Sequence, residues 1–237
     1  MKFITRTSLA LFTALVVLVA CKKDKEDSIS TSKTVFLTVI PTLGTETLAL
    51  DTPYEINGQL VEFSFFKFYL SNVEVRDDEG NVIVHNNGFP ILVSTEGIPK
   101  NIGSAEIEVL HNLYFDVGLD SLTNHQDPIT ATTPMNDVEM HWNWNPGAGY
   151  KFFRMDGTVD TQFFESHAAT DLLFQEGIGL SVHDVSTSGT EIEIVMYMDL
   201  SNALDGILIP AGGEHGDTNF NISYMNKLGT AEPFTIE

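Results

Sequence analysis

Cysteine is almost missing from this chain. Cys21 is the one cysteine in 237 residues, so no intrachain disulfide can form. Basic residues are scarce as well: 12 Lys and Arg face 33 Asp and Glu, and the formal net charge is −21. A surface so acidic repels nucleic acid and has no basic patch to hold a phosphate backbone. It is compatible with attracting cations, although a solvated acidic surface is the commoner meaning of such a bias. No repeat of fixed period is present. Catalytic signatures are lacking too. There is no H-E-x-x-H, no G-x-S-x-G, no P-loop, no dinucleotide fingerprint and no calcium loop of the D-x-[DN]-x-[DN]-G kind. With no acid/base pair or nucleophile constellation in view, the chain reads as a binding protein, not an enzyme.

The one long apolar run is at the start. Residues 1–20 have Lys2 and Arg6 ahead of an apolar stretch too short for a stable membrane span, as an export signal does. The run ends Leu18-Val19-Ala20-Cys21, in the manner of a bacterial lipoprotein signal, and predicts a mature chain beginning at a lipidated Cys21. Residues 21–32 are polar and mixed in charge, and predict a flexible tether. Lys22 is not the aspartate that would signal inner-membrane retention, so the expected location is the outer membrane, on its periplasmic or cell-surface side. The remainder, 33–237, has the length of one all-β domain.

Along that domain, short alternating segments are separated by turn signals. Lys33 to Ile40 reads as a first strand. Leu60 to Val75 is the most apolar stretch, and its change of phase near Ser71-Asn72 predicts a bulge. Asp77 to Asn81 predicts a hairpin turn. Strands are expected over Phe89 to Val93, Ala105 to Leu110, Leu113 to Val117, Tyr150 to Met155 with a turn at Asp156-Gly157, Gln162 to His167, and Ile178 to Val182. Ile192, Ile194, Met196 and Met198 alternate as the core face of another, which argues against a thioether metal site. Asp171 to Gln175 predicts a helical turn, Leu200 to Leu208 a loop or short helix, and Phe220 to Tyr224 a closing strand. Together these give an all-β class: a single antiparallel β-sandwich.

Tryptophan is rare, and both copies sit in one stretch, Asp137 to Phe152. Read as a strand, Val138, Met140, Trp142 and Trp144 share one face, and Glu139, His141 and Asn143 the other. Two indoles on one face either fill a core or line a site. Of the seven histidines, three have unusual surroundings: His125 in the long loop from Leu119 to Pro134, His141 beside Trp142, and His167 at a strand end. A lone histidine is more often a surface or packing residue. Imidazoles from separate strands and loops nonetheless suit copper or zinc if they converge.

The residues of this region resemble a known family. Phe115-Asp116-Val117-Gly118-Leu119 precedes Asn124-His125-Gln126-Asp127-Pro128. Met140-His141-Trp142-Asn143-Trp144 and Gly149-Tyr150-Lys151-Phe152 follow. With Phe65 to Val73 and Phe163 to His167, this is similar to the pattern of the MbnP family, copper-binding partners of methanobactin-type systems. The resemblance implies a β-sandwich that binds copper for acquisition or handling. It implies His125 and His167 as ligands, with His141, and Trp142 or Trp144 as a tryptophan oxidised to kynurenine by a MauG-type diheme peroxidase. The chemistry is reasonable, because an indole N–H is a donor only, whereas the aromatic amine of kynurenine has a lone pair for a metal. After His167 this chain has Ala168-Ala169-Thr170-Asp171 where many relatives have a cysteine-containing stretch. The competing expectation is a surface module that binds glycans or proteins on a platform of indoles.

Overall fold

The structure, a computed structural model, describes residues 32–107, 110–143, 145–182 and 189–237. The leader, Cys21, the tether up to residue 31, Trp144 and His183 lie outside the described residues.

The N-terminal half is built from strands β1 (Lys33–Leu43), β2 (Glu46–Thr47), β3 (Pro53–Ile56), β4 (Gln59–Arg76), β5 (Val82–His85), β6 (Ile91–Ser94), β7 (Lys100–Ala105) and β8 (Asn112–Val117). A one-turn helix, α1 (Ser121–Asn124), opens the long loop. Strands β9 (Lys151–Val159), β10 (Gln162–Ala169), β11 (Gln175–Ser181) and β12 (Glu191–Asp199) follow. The chain ends with α2 (Leu200–Ala203), β13 (Gly212–His215), α3 (Asn219–Leu228) and β14 (Phe234–Ile236).

Two curled sheets pack as a single β-sandwich domain. The smaller runs β14-β12-β1-β2, with β7 also on β1. The larger runs β11-β8-β4-β9-β10-β13, with β3, β5 and β6 on β4. Most neighbours are antiparallel, but β1–β12 and β10–β13 are parallel pairs. Strand β4 is the spine, and its apolar side chains explain why. Val61 and Phe63 face inward, then Phe66, Phe68 and Leu70, then Val73 and Val75. Each change of phase coincides with a register shift, at Phe63/Phe65 against β9 and at Ser71/Glu74 against β8. The second is the bulge expected near Ser71-Asn72, where Asn72 has φ 48°. Across the β4–β9 pairing, Phe68 stacks on Phe153 at 5.2 Å and Phe66 meets Phe153 edge-on at 5.1 Å. Ile192, Ile194, Met196 and Met198 are buried, as their alternation predicts.

Four local expectations are corrected. Strand β9 does not turn at Asp156-Gly157 but runs on to Val159, and the tight turn is at Asp160-Thr161, both with positive φ. Gly157 is there because β4 approaches so closely that a Cβ would sit 1.9 Å from the Glu62 carbonyl oxygen. Phe220 to Tyr224 is helical, not a closing strand: Phe220, Tyr224, Met225 and Leu228 make one buried stripe of α3. Ala105 closes a strand instead of opening one. From Asp137 to Tyr150 the described residues of the tryptophan stretch form turns with one bridge, His141 to Tyr150, and a strand begins only at Lys151. Asp137 Oδ1 accepts from the Glu139 N–H at 2.9 Å, and this local bond replaces a ladder bond. Val138 is therefore 73% exposed, while Met140, His141 and Trp142 are all buried.

Candidate metal centre

The centre lies on the edge of the larger sheet and follows from strand register. Glu165 and His167, two residues apart on β10, project from the same face. On one side β9 places Asp156 opposite Glu165 and Arg154 opposite His167. On the other, the parallel strand β13 places His215 opposite His167 and Gly213 opposite Glu165. The imidazoles of His167 and His215 stack, 4.8 Å between centroids and 15° between planes. One ligand atom from each of Glu165, His167 and His215 lies within 4.8 Å of the others. Glu165 Oε1 is 2.6 Å from His215 Nε2. The glycine at 213 makes room: a Cβ there would stand 3.1 Å from the His215 ring and 3.4 Å from Glu165 Oε1.

His167 and Asp156 are buried. Burial holds His167 below the ordinary imidazole range, against the opposing pull of Asp156. Burial alone would push the Asp156 carboxyl up, but hydrogen bonds from His167 and Arg154 outweigh it and hold the group below the usual carboxylate range. The pair is thus a neutral imidazole against a carboxylate. Nδ1 of His167 is buried with no hydrogen-bond partner. Two imidazoles, one of them with a buried and unpartnered nitrogen, and a carboxylate are a donor set that fits a copper or zinc ion.

The tryptophan loop leans on this centre. Trp142 presents its ring edge-on to His215, 5.8 Å between centroids. It packs with Ala148 and Ala169, apart from the main core. Asn124 holds the loop in place: it is fully buried at the end of α1 and accepts the Tyr150 N–H at 2.8 Å. Its amide donates to Asp171, which also takes bonds from Ser121 and pairs with His125.

Of the histidines singled out from the sequence, His167 is in the centre. His125 and His141 are not in that group of ligand atoms. They line a separate recess of about 410 Å³ with Asp127 and Asn143. His141 Nδ1 lies 2.9 Å from Asn143 Oδ1, and its ring meets Tyr150 edge-on. His125 is half exposed and 3.3 Å from Asp171. A larger cavity, about 790 Å³, opens beside β6 and β7 and is lined by no histidine. Sequence reasoning missed Glu165 and His215. Alternation along Gln162 to His167 placed Glu165 on the face of His167, a signal that was available. Nothing local marks His215, because its partner strand is remote in sequence.

Fold and site together describe a two-sheet β-sandwich with a histidine-bearing centre at the edge of its larger sheet. The MbnP family model matches residues 32–222, and the chain belongs to that family. Among solved structures, "MbnP from Methylosinus trichosporium" is similar, with a TM-score of 0.54 and 13% identity over 79% of this chain and 82% of that one. At that identity the likeness is one of fold. No curated protein matches the sequence.

Proposed function

We propose that this protein binds copper through His167, His215 and Glu165, and serves copper acquisition or handling as an exported lipoprotein anchored at Cys21. The observation that carries the reading is the convergence of two imidazoles and a carboxylate from β10 and β13, in a member of the MbnP family. Binding is the role this reading assigns, since the centre's imidazoles and carboxylate converge as ligand atoms. Copper is preferred to zinc because copper(II) tops the divalent series for nitrogen ligands. Trp142, against His215, is the tryptophan for oxidation to kynurenine by a MauG-type diheme peroxidase. The buried Trp142 offers no open stacking face, which disfavours the glycan-platform reading.

The test is a copper titration with competing chelators. His167→Ala and His215→Ala are each expected to weaken binding at least about tenfold, the loss that even the outer partner of a ligand can cause. His125→Ala and His141→Ala are expected to bind as the parent does. The opposite pattern would move the site to the second recess. Binding weakens at low pH because protonated imidazole cannot coordinate. Intact mass of protein co-expressed with its peroxidase should show Trp142 gaining one oxygen and losing one carbon.

A further inference from the structure

An imidazole has two nitrogens, and its neighbours decide which of them keeps a lone pair. The neighbours of His167 are unusually explicit. Its Nε2 is 3.2 Å from Asp156 Oδ1. Asp156 is held from behind: Arg154 Nε and a terminal nitrogen both donate to Oδ2, at 2.9 and 2.5 Å. Arg154 is itself fixed, with its guanidinium 4.0 Å from the centroid of the Phe65 ring and a second bond to the Glu139 carbonyl. An ionised carboxylate only accepts hydrogen bonds, and a guanidinium only donates them. Arg154 therefore occupies Oδ2 and leaves Oδ1 as an acceptor aimed at His167.

We infer that Asp156 is a positioning residue: clamped by Arg154, it holds His167 in the Nε2–H tautomer and so assigns Nδ1 as the metal-binding atom. The alternative tautomer is penalised twice. The Nε2 lone pair would face a carboxylate oxygen. The Nδ1 proton would be buried without an acceptor, since Nδ1 has no partner among the described residues. Carboxylates that fix ligating histidines in this way also raise the basicity of the nitrogen that binds. The inference deepens the metal-site reading and rests on it for the metal, but the tautomer is a property of the metal-free protein.

That separation makes the test clean. Long-range 1H–15N NMR spectra of the metal-free protein should show His167 protonated at Nε2. In Asp156→Asn, Arg154 keeps the single amide oxygen, and the amide NH2 is turned toward Nε2. The imidazole proton should then move to Nδ1, and copper(II) affinity should fall about 10–100-fold. Adding Arg154→Met to Asp156→Asn frees the amide to rotate. Its oxygen can again accept from Nε2–H, so both the tautomer and the affinity should recover. A merely structural role for Asp156 would give no such recovery. The inference is overturned if the parent carries its proton on Nδ1, or if Asp156→Asn keeps the parent tautomer, whether or not affinity falls. It is equally overturned if the second substitution restores nothing. A parent with the Nε2–H tautomer that binds no copper overturns the metal reading and with it the role of Nδ1, while the lock on the tautomer stands.

Discussion

Gly149 and Asn124 show how much can depend on one missing Cβ. Gly149 has φ +73°, and a Cβ there would fall 2.3 Å from Asn124 Oδ1, the atom that accepts the Tyr150 N–H. Gly149→Ala is therefore expected to cost about 2–3 kcal/mol, from a strained backbone and a broken buried hydrogen bond together. Chemical denaturation would measure it, and a change below about 0.5 kcal/mol, the range of a neutral surface substitution, would refute the account. At this scale the sequence was partly legible. The Asn124-His125 and Gly149-Tyr150 pairs stood out, and so did His167. What they touch did not: His125 turned out to face Asp171, and His141 to face Asn143 and Tyr150. Side-chain pairing across a loop leaves no periodic trace, so residue types were visible and their partners were not.

The short strand β13 matters more to the centre than its four residues suggest. It supplies His215, and Asn221 of α3 fastens it. The Asn221 amide donates to the carbonyls of Glu214 and Gly216 at 3.0 and 2.8 Å, and its oxygen accepts from Ser166 of β10 at 2.6 Å. Asn221→Ala leaves buried groups unsatisfied and should destabilise the fold by about 2–3 kcal/mol. It should also loosen copper binding although Asn221 is not itself a proposed ligand, because β13 is no longer fixed against β10. Unchanged affinity in a destabilised variant would show that the parallel β10–β13 pairing alone suffices. Elements were the most legible level where period 2 ran long, as in β4 and β12. They were least legible in α3, whose stripe of Phe220, Tyr224, Met225 and Leu228 has helical spacing but begins with residues that also suit a strand. The tryptophan stretch misled for a different reason. Asp137 and the Pro146–Ala148 turn form local bonds that outcompete the ladder its alternation predicts.

At the scale of the molecule, the acidic balance hides a buried cation among the described residues. Lys151 is buried at the root of β9 and donates to the Glu139 carbonyl at 2.8 Å. Burial, with Arg154 nearby, lowers its pKa from 10.5 to about 8. In the unfolded chain the group stays protonated up to its ordinary value, so between those two values the unfolded state binds the extra proton. Stability should therefore rise as pH climbs from 8 toward 10. Above pH 10 the buried phenols of Tyr69 and Tyr224, which burial pushes up, work the other way. Denaturation midpoints of the parent should rise across pH 8–10, and Lys151→Met should flatten that rise; a parent that is flat there would contradict the assignment.

The parallel pairing of β10 with β13 has a consequence in time. Two of the three proposed ligands, Glu165 and His167, are made well before the third, His215, which waits for the stretch Gly212–His215 to dock beside them. A chain synthesised only as far as β10 therefore has the Glu165 carboxylate and the His167 imidazole of the centre but not His215. On the proposed reading, the order of synthesis therefore makes the docking of this late stretch, and not the formation of β10, the event that completes the copper centre.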